Sequence, residues 1–239
     1  MGARIVNQGV VSMDQHNVSP FNALPPVVIA LAVVIFGLEL MFQAATAGFL
    51  GGQGGLAWRL AAVQDYAVLD AVWTWMISTG QFPVEHLVRF IAYPLIHQGF
   101  VHAAFVVVFI LALGKMVAEV YSVAAFLAVF WISAIMGALG FVVLMDSEYP
   151  LIGGYPGVYG LIGAFTFLMW VRAEAEGSGQ LRAFGLIGVL LGIQLLFGLI
   201  AGEFGRVVAD FSGFVTGLAL SFVVSPGGWR RMLARVRQR

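Results

Sequence analysis

The sequence predicts an all-α polytopic membrane protein: a six-transmembrane-helix bundle with a long interfacial loop between helices 1 and 2. Three observations carry that prediction. Of 239 residues, 61% are hydrophobic and only 10% charged, against roughly 45–50% and about 25% in soluble domains. The apolar residues gather into six runs of about 20, the length that crosses ~30 Å of hydrocarbon. Glycine, at 30 residues, far exceeds the usual ~7% without the period of collagen, and small residues let membrane helices pack closely. A mean hydropathy of +0.95 excludes a disordered chain. Twelve basic and twelve acidic residues cancel, so nothing points to a nucleic-acid partner. The absence of cysteine removes disulfide and thiol chemistry.

Taken in order, residues 1–24 are too polar for a signal peptide and read as a cytoplasmic N-terminal segment. The first span, 27–49, follows Pro25-Pro26, which suits a helix start. The connection 50–98 is too polar to span but carries Trp58, Trp73 and Trp75, so it reads as amphipathic helices lying among the headgroups. The remaining spans are 100–120, 122–144, 155–172, 182–201 and 207–225. The membrane domain is therefore 25–225, with a basic cytoplasmic tail at 226–239.

Six spans leave both termini on one side. That side then holds nine basic residues: Arg4, Lys115, Arg172, Arg182, Arg230, Arg231, Arg235, Arg237 and Arg239. The opposite side holds Arg59, Arg89 and Arg206. The bias places both termini in the cytoplasm and the long loop outside. The tail arginines read as a topological anchor with Trp229 at the interface; contact with anionic lipid headgroups is their other use.

Polar side chains inside a membrane are costly and mark candidate sites. Glu39 and Gln43, one turn apart in the first span, could meet a partner helix or make an internal contact. His97 and His102 lie five residues apart, about 140° around a continuous helix, so they share no face. The other histidines, His16 and His86, fall in polar regions, and no metal site or cofactor is expected. Gly157, Gly160 and Gly163 form a small-residue stripe in span four, and Gly213 with Gly217 forms a GxxxG pair in span six. Asp210 lies three residues before Gly213. These spans should pack closely, with Asp210 in their seam.

At these positions the chain resembles the rhomboid intramembrane serine proteases, over about residues 25–225. His97 and His102 fit the family's HxxxxHxxxN motif, but Val106 stands at the asparagine. Arg89 fits the arginine of the upstream WR pair, with Val88 in place of the tryptophan. Residues 153–163 resemble the GxSGxxxGxxG entrance to span four. Aligned on Tyr159–Gly163 the serine position is Tyr155; aligned on Gly154–Gly157 it is Pro156. Residues 210–217 resemble HxxGxxxG, with Asp210 replacing the general-base histidine.

The resemblance implies a serine nucleophile, a histidine base from span six, oxyanion donors from span two, and lateral substrate entry near spans two and five. Here the serine, histidine and asparagine are all replaced and only His102 is retained. Such groups act as a unit, so these losses should leave residual chemistry at best. A tyrosine of pKa ~10 and a carboxylate near 4 make a poor nucleophile–base pair, so Tyr155 and Asp210 are expected to share a structural hydrogen bond. The expected function is that of a rhomboid-like pseudoprotease in a bacterial inner membrane, a scaffold for transmembrane segments of client proteins or a subunit of a larger membrane complex, among lipids. A divergent serine-type endopeptidase or hydrolase is the alternative. A transporter or lipid-handling protein is disfavoured by the lack of an internal repeat.

Overall fold

Away from water, every backbone N–H and C=O must be satisfied within the chain, so the apolar runs close into helices. The computed structural model describes residues 24–177 and 204–225, together with 179, 181, 184, 185, 187–190, 192 and 193. Helix α1 (Pro26–Thr46) is followed by four short helices, α2 (Trp58–Tyr66), α3 (Asp70–Thr79), α4 (Val84–Leu87) and α5 (Arg89–Ala92). Three long helices come next: α6 (Phe100–Ala118), α7 (Val123–Leu144) and α8 (Tyr155–Ala175). The last described element is α9 (Phe204–Val224). Five of these, α1 and α6–α9, are long and apolar enough to cross a membrane. The expected fifth span, 182–201, falls outside the described residues except at the scattered positions above. Residues 1–23 and the tail with Trp229 also lie outside them.

Helix starts follow local chemistry. Pro26 opens α1, where a missing N–H costs nothing. The Ser122 hydroxyl accepts from Ala125 N at 3.2 Å and caps α7. Pro156 sits in the first turn of α8.

Helix α8 is the centre of the bundle, with Pro156 to Ala164 continuously buried. As expected, it meets α9 through backbone rather than side chains. A Cβ on Gly217 would collide with the Gly160 carbonyl, one on Gly213 with the Pro156 carbonyl, and one on Gly163 with Phe214 O. The stripe does not face α9 throughout, however. The spaces left by Gly157 and Gly160 are taken by Phe130 and Ser133 of α7. Each step of three residues turns about 60° around the helix, so three glycines spread over ~120° and serve two neighbours.

The loop between α1 and α6 is held down at two points. Val68 and Leu151 exchange backbone hydrogen bonds of 3.1 and 2.9 Å. Arg89 donates to the carbonyls of Gln64 and Ala67, both at 2.9 Å, where α2 ends. Trp75, Ile77, Phe82, Val84 and Leu87 of this loop stay exposed, as suits residues resting in the headgroup region. Arg89→Ala leaves those carbonyls without a charged donor, at a cost of about 1–3 kcal/mol. Thermal unfolding in detergent should show a lowered midpoint, and Arg89→Lys should recover part of it.

Candidate functional site

The site lies at the loop end of α6, α8 and α9. Helix α6 starts only at Phe100, after an extended Gly99. His97 therefore precedes the helix, and the turn brings its ring edge-on to His102 with centroids 5.1 Å apart. The expectation that the two histidines diverge is overturned, because it assumed one continuous helix.

His97 is a positioning residue. Its Nε2 accepts from Gly154 N at 3.3 Å, and its carbonyl accepts from Arg59 Nη1 at 2.6 Å. The preceding residue, Gly153, has φ +98° and backs onto the His102 ring, where a Cβ would lie 2.6 Å from Cε1. Gly153 N donates to Tyr93 O at 3.0 Å. The turn that launches α8 is thus pinned from two sides.

Burial, opposed more weakly by the Glu39 carboxylate, holds the His97 imidazole down at about 4, so it is neutral at pH 7. The unfolded chain binds this proton near 6.5, so stability is full above that value. It falls as pH drops from about 6.5 to about 4, by on the order of 3 kcal/mol, and levels off below. Denaturation midpoints across this window should show the slope, and His97→Gln should reduce it.

Glu39 and Gln43 are turned inward. Glu39 is 1% exposed. Arg59 of α2 grips its carboxylate with two bonds, Nη1 to Oε2 at 2.9 Å and Nη2 to Oε1 at 2.8 Å. Gln43 Nε2 adds a third at 2.7 Å. The Arg59 guanidinium also lies 5.1 Å over the Phe42 ring. A partner-helix role for this pair is replaced by an internal one, since a buried carboxylate takes its counterion from the nearest element. Arg59 was not singled out in the sequence; the signal for it was the need of Glu39 for a cation.

Tyr155 and Pro156 part at the start of α8. The Tyr155 ring stacks on His102, with centroids 5.1 Å apart and planes 20° from parallel. Pro156 points the other way, into the junction of α7 and α9, where Gly137 and Gly213 leave room for it. His102 Nδ1 accepts from Gln98 N at 3.3 Å, which leaves its other nitrogen as the N–H of the neutral ring. Val106 is fully buried, and its methyl lies 3.0 Å from where a Gly154 Cβ would be.

Asp210 is 2% exposed, inside the bundle as expected. Tyr93 is fully buried. Its hydroxyl donates to Ala134 O at 2.6 Å. Burial, and then the negative charge of Asp210, push that phenol well above its ordinary value, so it remains a donor. Arg206, one turn before Asp210, reaches across the mouth of the site. With the Gln98 amide oxygen facing it, the two guanidinium nitrogens lie 2.5 and 3.1 Å away. This link between α9 and the approach to α6 was not foreseen, because Gln98 carries no motif signal.

Beside Tyr155, a cavity of about 230 Å³ opens between α6 and α8, lined by Phe109, Val158, Tyr159 and Ile162, with Leu190 and Ile193 opposite. Among the described residues no hydroxyl is hydrogen-bonded to a histidine, and no group of three or more histidine, aspartate or glutamate side chains could hold a metal ion.

Comparison with known proteins places this geometry. A family model described as "Rhomboid domain" matches residues 84–227, which include His97, His102, Tyr155 and Asp210. The "Putative rhomboid protease YdcA" of Bacillus subtilis (strain 168) is 28% identical over 135 residues. That match spans 56% of this chain and 66% of the relative's length.

Proposed function

This chain belongs to the rhomboid family, a multi-pass membrane fold, and from that premise we propose that it is a pseudoprotease that holds transmembrane segments of client proteins without cutting them. One observation carries this reading: the Tyr155 ring lies flat on His102 where a small nucleophile would need open access to it. Acyl transfer needs a nucleophile bonded to a base, together with oxyanion donors. Tyr155 is a phenol, Asp210 a carboxylate, and Val106 has no donor.

The binding half of the machinery is kept. The glycine seam of α8 and α9 is closed, and the 230 Å³ cavity between α6 and α8 presents an apolar wall beside Tyr155. A helix entering there would meet aromatic and branched side chains, with no activated nucleophile. The setting we propose is a bacterial inner membrane with both termini in the cytoplasm.

A serine-directed fluorophosphonate and a panel of transmembrane reporter substrates test this reading. The expected result is neither labelling nor cleavage, with Tyr155→Phe and Asp210→Ala behaving like wild type. Cleavage that disappears in either variant would instead identify a divergent hydrolase.

A further inference from the structure

The interfacial loop does not seal the loop-side end of α1. Between α1, α2 and the turn after α5 lies a cavity of about 520 Å³, walled by Leu38, Met41, Phe42, Trp58 and Leu95. That volume falls within the ~300–1,000 Å³ typical of small-molecule sites. It is separate from the His102–Tyr155 site, and the proposed function makes no use of it.

Its charge is one-sided. Asp65 of α2 lines the cavity and is exposed. The nearest cation of that helix, Arg59, is committed to Glu39 and the His97 carbonyl. Arg89 keeps its charge at the carbonyls that end α2, outside the cavity lining, in which Asp65 is the one charged side chain. Trp58 and Tyr66 line the same cavity, and such rings prefer the headgroup level.

A bilayer supplies an apolar chain at this depth, and the carboxylate selects the head above it. An anionic headgroup would be repelled by Asp65, whereas an ammonium would be attracted. We propose that the cavity holds one acyl chain of an ethanolamine phospholipid, with its ammonium paired to Asp65.

The test uses the purified full chain in detergent, stripped of lipid and then offered phosphatidylethanolamine or phosphatidylglycerol of identical acyl chains. Native mass spectrometry reads the lipid retained. Wild type should retain the ethanolamine lipid about fivefold better. Asp65→Asn should bring the two lipids level without abolishing retention. Ala61→Trp, which fills the chamber from α2, should reduce both, and Leu38→Phe should do the same from the α1 wall. Equal retention of the two lipids by wild type would overturn the proposal. So would a preference that survives in Asp65→Asn, or retention unaffected by both filling variants.

Discussion

Gly217→Val is expected to separate α8 from α9 and abolish the folded bundle. Its Cβ would fall on the Gly160 backbone, which no rotamer change can move aside. The two helices must part along a seam that also closes at Gly213 against Pro156 and at Gly163 against Phe214. Overpacking costs about 1–3 kcal/mol where side chains can yield; here both surfaces are backbone, so the loss should exceed the upper figure. Expression should fall, and thermal unfolding in detergent should show a lowered or absent transition. Gly217→Ala should be intermediate. By contrast, the same change at Gly37, where a Cβ meets nothing within 4 Å, should be nearly neutral. That contrast separates the seam from a general preference for glycine.

The second large effect is expected at the Glu39–Arg59 pair. Arg59→Ala strips two hydrogen bonds from a carboxylate that is 1% exposed and leaves the buried charge without its counterion, held only by the Gln43 amide. Removing one partner of a buried pair typically costs about 3–5 kcal/mol, mostly the penalty of the orphaned charge. Glu39→Gln should cost less, because a neutral amide can still accept from Arg59. The double variant Glu39→Met/Arg59→Met should be more stable than Arg59→Ala alone. A double-mutant cycle on unfolding midpoints measures the coupling. Because Arg59 also holds the His97 carbonyl, Arg59→Ala should loosen the turn that starts α8, seen as faster amide exchange at Gly154.

Much of this fold was legible because hydrocarbon imposes simple rules. Apolar runs had to be helices, and Gly213 with Gly217 had to be a packing face, since a membrane rewards close backbone approach. Asp210 could be placed inside because a carboxylate facing lipid is too costly. Less legible was anything that depends on where a helix begins. The angle drawn between His97 and His102 failed because α6 starts after both Gln98 and Gly99. The two alignments of Tyr155 and Pro156 could not be separated by spacing. In three dimensions Tyr155 faces His102 while Pro156 faces α7 and α9. Partner choice was equally hidden. Glu39 announced a missing cation without saying that it would be Arg59, twenty residues away on a loop helix.

We propose that this rhomboid-family chain binds transmembrane segments without cutting them. Photocrosslinking in membranes tests it most directly, with a benzophenone side chain at Phe109, on the cavity beside Tyr155, and a control at Val33 on the exposed side of α1. The account predicts full-length membrane proteins captured at Phe109 and absent from the Val33 control, with no truncated products. Identical background at the two positions, or captured fragments cut within their transmembrane segments, would contradict it.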